Sequence, residues 1–201
     1  MTTLHFASGN ENKYLEIESL FEKEKETKND EKNVRLIFSK ILIKEIQSDS
    51  IIEVAEDKVR KAFKVIKKPL IVEDDGLFIE YLNGFPGIYS SFVFNTIGNK
   101  GILDLLKDNK NRRANFLSIF SFFDGTTIET FSGKTSGYIT TKISPSGWGF
   151  DPIFQPINEY QTYGQINMIK KNEISHRSKA FRKFLKWYKI NYQNTDDEKE
   201  E

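Results

Sequence analysis

Strand-like runs alternate with helical stripes through the first third of this chain and a hairpin follows later, a combination that only a mixed sheet accommodates. Leu4 to Ala7 reads as a short buried strand, Ser8-Gly9-Asn10 as a turn, and Tyr14, Ile17, Leu20 and Phe21 recur at helical spacing. Val34 to Ile46 reads as extended. Asp49 or Ser50 then caps a helix with Ile52, Ala55, Val59, Ala62 and Ile66 on its inward face, and Pro69 ends it. The apolar run Leu70-Ile71-Val72 predicts another strand, Leu77 to Leu82 a further one, Asn83-Gly84-Phe85-Pro86-Gly87 a loop, and Gly101 to Lys107 a short helix. Asn115 to Phe123 and Thr126 to Phe131 form a hairpin about Asp124-Gly125, Thr135 to Ile143 adds a strand, and Pro145 to Pro152 is a Gly/aromatic loop. A last helix from Ser175 to Tyr192 turns Phe181, Phe184, Leu185 and Tyr188 inward. The expected fold class is therefore α/β, a mixed β-sheet flanked by helices.

With 201 residues, 17 of them Phe and 8 Tyr, the chain can bury the core of one domain, read here as 1–193. The charged stretch Glu22 to Asn33 reads as a frayed helix end and exposed loop, and the acidic tail 194–201 as disordered. A net charge of +1 provides no basic field for nucleic acid. No run reaches the ~18 apolar residues of a membrane span, and the start lacks a signal peptide's pattern, so the expected location is cytoplasmic. The absence of Cys agrees with a reducing compartment and removes thiolate chemistry, while His5 and His176, the only histidines, argue against a multi-His metal site.

Three consecutive carboxylates, Glu73, Asp74 and Asp75, follow the apolar run where a strand reads as ending. Adjacent anions repel, and a divalent cation such as Mg²⁺ would offset that cost while binding substrate phosphates. Viewed alone, the cluster also fits a solvated turn. The turn Ser8-Gly9-Asn10 with Lys13 places backbone N–H groups and a cation at a helix N-terminus, which suits an anion, although Asn10 as a simple cap fits the same residues. The spacing is not that of a P-loop. Glu45 reads as a loop residue and Lys58 as a solvated helical cation. Trp148-Gly149-Phe150-Asp151 joins aromatic faces to a carboxylate, which fits a planar base or core packing. Lys171, His176 and Arg177 crowd donors around the start of the last helix, with Ser175 as its cap, against the local dipole unless an anion or base oxygen sits nearby.

Taken in order, Ser8-Gly9-Asn10-x-x-Lys13, Val72-Glu73-Asp74-Asp75-Gly76-Leu77, Asn83-Gly84-Phe85-Pro86-Gly87-x-Tyr89-Ser90, Gly149-Phe150-Asp151-Pro152 and Lys171-Asn172-x-x-Ser175-His176-Arg177 resemble the inosine triphosphate pyrophosphatase family. The resemblance implies an elongated mixed sheet with the substrate cleft between two lobes, a homodimer, and Mg²⁺-dependent hydrolysis of ITP, dITP and XTP to monophosphate and pyrophosphate. Carried over residue by residue, it implies Asp74 as the catalytic acid position and Glu45 with Asp74 as metal ligands. Ser8, Gly9, Asn10, Lys13 and Lys58 then meet the triphosphate. Asp75, Trp148, Gly149, Phe150, Asp151, Lys171, His176 and Arg177 complete the substrate-binding set, with the last segments on the base. The chain departs from the pattern at Asp75, where Ser or Thr is frequent, and in the order of Trp148 and Phe150. Two other readings remain open at this level: a pyrophosphatase for modified pyrimidine nucleotides, and a nucleotide-binding sensor without turnover.

Overall fold

The computed structural model describes residues 2–26 and 34–193. The expectations for 27–33 and for the tail 194–201 lie outside the described residues. Thirteen strands and helices follow: β1 (Thr2–Ser8), α1 (Glu11–Glu26), β2 (Val34–Lys40), α2 (Ile51–Ile66), β3 (Leu70–Ile79), β4 (Pro86–Gly87), α3 (Ser90–Thr96), α4 (Gly98–Leu105), β5 (Arg113–Phe123), β6 (Ile128–Ile139), β7 (Phe154–Pro156), α5 (Met168–Ile174) and α6 (His176–Tyr188). The strands form one sheet in the order β2-β1-β3-β5-β6-β7, with β4 beside β3. Helices α1 and α2 carry the chain back over the sheet, so β1 pairs parallel with β2 and β3. Pairing turns antiparallel between β3 and β4 and between β6 and β7. The sheet is mixed and flanked by helices, as the alternation of elements requires.

Several boundaries move, each for a local reason. The acidic cluster does not end a strand: β3 runs unbroken from Leu70 to Ile79, and a 3-10 turn covers Glu80–Leu82 where strand was expected. Likewise β6 is one strand across 128–139 rather than two, because Gly133 and Lys134 continue the alternation that their small and polar side chains obscure. Strand β2 stops at Lys40, short of Ile46. Ser50, not Asp49, caps α2 by accepting from Glu53 N, and Lys67 closes the helix in the left-handed region before Pro69. Ile52 points outward, since α2 buries Ile51, Val54, Ala55, Val59 and Ala62 at the i, i+3, i+4 spacing and leaves position 52 on the far side. Helix α4 starts three residues earlier than expected, α6 ends at Tyr188, and Ser175 stands in extended conformation between α5 and α6. Helices α3 and α5 and strand β7 were not expected; they have seven, seven and three residues, too short to show a period.

The chain divides into two compact units, one of 1–74, 119–132 and 178–201, the other of 75–118 and 133–177. In the first, Leu4, Phe6, Ile17, Leu20, Ile71, Phe181 and Phe184 share one core, and Ala7, Val59, Ala62, Leu70 and Val72 share another. The first core joins sheet to α1 and α6, the second joins sheet to α2. The second unit packs Leu77, Ile79, Ile102, Leu106, Phe116, Phe150, Ile153, Phe154 and Tyr163 together.

Candidate active site

Successive side chains of a strand point to opposite faces, and β3 sorts its residues accordingly. Leu70 and Val72 enter the α2-side core, while Ile71 enters the α1/α6-side core. Continuing that parity puts Glu73 on the α1 side and Asp74 on the α2 side. The ion pairs agree: Lys13 Nζ of α1 lies 3.1 Å from Glu73 Oε2, and Lys58 Nζ of α2 lies 3.3 Å from Asp74 Oδ1. Both carboxylates are buried, Glu73 at 1% and Asp74 at 7% exposure, which ionised groups tolerate when paired. The repulsion expected of neighbours along the chain is thus relieved by placing each against a cation from a different helix.

The rest of the first unit's site gathers around these pairs. Lys58 Nζ donates to Glu45 Oε1 at 2.7 Å, so Glu45 and Asp74 converge on one positive charge. Ser8 closes β1, and its Oγ accepts from Asn10 N at 3.1 Å. Asn10 Oδ1 accepts from Asn12 N and Lys13 N, which makes it the cap of α1. Gly9 is exposed beside them. This brings Ser8, Gly9, Asn10 and Lys13 to the positive end of one helix dipole, a setting that favours anions. Glu73, the partner of Lys13, was absent from the site expected from sequence; the parity of β3 was the signal that could have placed it.

In the second unit Asp75 opens the set. Arg177 Nη2 donates to Asp75 Oδ2 at 2.8 Å, and His176 Nε2 stands 3.6 Å from the same oxygen. Both α6 residues are buried at 2% exposure, and the His176 ring stacks on Phe116 with centroids 4.5 Å apart. Lys171 Nζ donates to Asp151 Oδ2 at 2.5 Å, with both side chains below a tenth exposed. Half-buried Trp148 receives two cations on its ring, Lys171 Nζ at 5.3 Å and the Arg177 guanidinium carbon at 5.1 Å from the centroid. Gly149 adopts φ +58, and beyond it Phe150 turns into the core, edge-on to Phe94. Of the aromatic pair, Trp148 is therefore the one that keeps a solvent-reached surface. Tyr163, missed from sequence, lies under Lys171 Nζ at 5.5 Å; burial, with the Asp151 charge adding, pushes its phenol above the ordinary range and keeps it neutral. A lone ring in the polar run Gln161-Thr162-Tyr163-Gly164 was the available signal.

Comparison with known proteins adds independent findings. A sequence model of the Ham1 family matches residues 4–187. A dITP/XTP pyrophosphatase of Saccharolobus solfataricus is 41% identical over 181 residues, 90% of each chain, and one of Methanopyrus kandleri is 46% identical over 149 residues, 73% of this chain and 79% of that one. An inosine triphosphate pyrophosphatase of Fusarium vanettenii is 32% identical across 92% of this chain and 96% of its own. Among solved structures, a HAM1 protein from Coxiella burnetii superposes with a TM-score of 0.77 at 26% identity, covering 92% of this chain and 96% of that one.

Proposed function

The chain belongs to the Ham1 family, and on that premise we propose that it hydrolyses dITP, ITP and XTP to the nucleoside monophosphate and pyrophosphate. The observation that carries the proposal is the convergence of Glu45 and Asp74 on the Lys58 ammonium, because two carboxylates aimed at one cation suit metal-assisted phosphate chemistry. The donor set fits Mg²⁺. Glu45 and Asp74 are the residues that would hold the ion, since Mg²⁺ takes oxygen ligands and commonly few protein carboxylates. When bound, Mg²⁺ supplies charge neutralisation and a more acidic water.

The chain's own residues do the rest. Asp74, fixed mid-strand, orients the attacking water and takes its proton. Lys58 and Lys13 face the phosphates and stabilise the charge that grows on the leaving pyrophosphate. Ser8, Gly9 and Asn10 hold phosphate oxygens at the head of α1. Trp148 offers its ring to the base, flanked by Lys171 and Arg177. Donors from Lys171, His176, Arg177 or neighbouring backbone meet O6 of a 6-oxo purine, where the amino group of adenine would leave them unpaired. We further propose a cytoplasmic homodimer; among the described residues no helix is long and apolar enough to cross a membrane.

The test is pyrophosphate release with Mg²⁺ from dITP, XTP, dATP and a methylated pyrimidine triphosphate, for the natural protein and for Asp74→Asn. Release from dITP and XTP well above the others is expected, with kcat reduced at least ~100-fold in Asp74→Asn while dITP still binds. Preference for the pyrimidine, or near-normal turnover in a folded Asp74→Asn protein, overturns the assignment.

A further inference from the structure

The loop that carries Trp148 is tied to α4 by one side chain. Asn99 is the second residue of α4, and its Nδ2 donates to the carbonyl oxygen of Gly149 at 3.0 Å, across fifty positions of sequence. Helix α4 itself is firmly seated: Ile102 and the C-capping Leu106 are fully buried in the same core as Phe150 and Ile153. Positions 99, 102 and 106 share one helical face, so Asn99 is the polar member of an otherwise apolar stripe. An Asn there, turned toward a distant backbone carbonyl rather than capping its own helix, has a structural task that packing alone does not set. Its Oδ1 is buried without a hydrogen-bond partner, so only the donor end of the amide is engaged and its orientation is fixed by that one bond.

The loop needs such a tether. Gly147 and Gly149 both take positive φ, +99 and +58, and at Gly149 a Cβ would meet nothing within 4 Å, so packing does not brace that residue. Its neighbours have their own anchors: Asp151 N donates to Trp148 O, Asp151 accepts from Lys171 Nζ and from Gly164 N, and Phe150 packs edge-on to Phe94 of α3. Among the side-chain bonds of the described residues, the Gly149 carbonyl, and with it the Gly149–Phe150 peptide one residue beyond Trp148, is held by Asn99. We propose that Asn99 is a positioning residue for the base, which holds the Gly149 carbonyl so that the Trp148 ring is set for stacking before the nucleotide arrives. The inference rests on the reading above that Trp148 meets the base. A preset ring loses less conformational freedom on binding, so the benefit falls on affinity and not on the chemical step.

The experiment compares Asn99→Asp, Asn99→Ala and Asn99→Gln with the natural protein, with Trp148→Ala alongside. Aspartate keeps the shape of asparagine but replaces the donor by an acceptor against a carbonyl oxygen, and Ala removes the donor without adding charge. For both, KM for dITP and XTP should rise roughly three- to tenfold with kcat nearly unchanged, as expected for loss of one hydrogen bond that acts in binding. Acrylamide quenching of Trp148, read in a Trp187→Phe background, should increase in the same two variants. Asn99→Gln retains a donor and should recover part of both effects. Equal KM and equal quenching in a folded Asn99→Asp protein would refute the positioning role, as would a fall in kcat with KM unchanged. A Trp148→Ala protein with unaltered KM would instead remove the base from this loop, which separates failure of the underlying reading from failure of the inference.

Discussion

Asp75 and Arg177 show what residue-scale pairing costs and secures. The Arg177 side chain is 2% exposed and that of Asp75 16%, with a 2.8 Å bond between them. An isolated charge left in such a place loses water without gaining a partner. Arg177→Ala should therefore destabilise the protein by on the order of 3 kcal/mol in urea unfolding, and Asp75→Asn combined with Arg177→Gln should recover most of that. A loss below about 1 kcal/mol would mean that solvent already screens the pair. The same bond bears on selectivity, because donors that read a purine O6 from Arg177 must be those not spent on Asp75. From sequence the acidic and cationic segments were both visible, but not which cation met which carboxylate. Asp75 and Arg177 stand 102 positions apart, and pairing over that distance is set by the fold, not by any local pattern. Similarly, Trp148 and Phe150 look equivalent as neighbours in a loop; in the fold they flank Gly149 at φ +58, Trp148 half-buried and Phe150 in the core.

At the scale of elements, strand β3 is the piece on which the site depends, and Gly76 is where it is most tightly fitted. A Cβ at position 76 would lie 2.4 Å from the Gly87 carbonyl oxygen and 3.0 Å from its carbon, and those are backbone atoms of the paired strand β4. Backbone cannot swing aside as a side chain can. Gly76→Ala should thus weaken the β3–β4 pairing and cost about 1–3 kcal/mol, the range for overpacking, with reduced turnover because Asp74 and Asp75 lie just before it. A variant as stable and active as the natural protein would show that β4 yields freely. The long amphipathic helices and the strands with clear alternation were readable in sequence, since their period extends over enough residues to be counted. Elements that escaped were short, as with α3, α5 and β7, or had their apolar pattern interrupted by function. Strand β3 is the clearest example: three acidic residues in its middle read as an ending, whereas each is held in the strand by a partner contributed from elsewhere.

On the scale of the whole molecule, a net charge of +1 leaves little self-repulsion to oppose association of identical chains. Within the segment 81–92, Tyr81, Phe85, Tyr89 and Phe92 are 50%, 39%, 48% and 68% exposed. Rings of this kind carry roughly 200 Å² each, so the four leave on the order of 400 Å² of largely apolar surface to water. A stable interface takes about 800 Å² from each partner, with an apolar centre inside a polar rim. We assign the proposed homodimer to this segment, whose exposed rings would supply apolar area for such a centre. Phe92→Glu should shift the protein from dimer to monomer in sedimentation equilibrium, because two carboxylates would be brought together where two rings had met. Tyr160 is fully exposed but lies outside the segment, so Tyr160→Glu serves as the control and should leave the dimer intact. If Phe92→Glu still sediments as a dimer, the chains associate through another face; if the natural protein is a monomer at micromolar concentration, the homodimer itself is wrong.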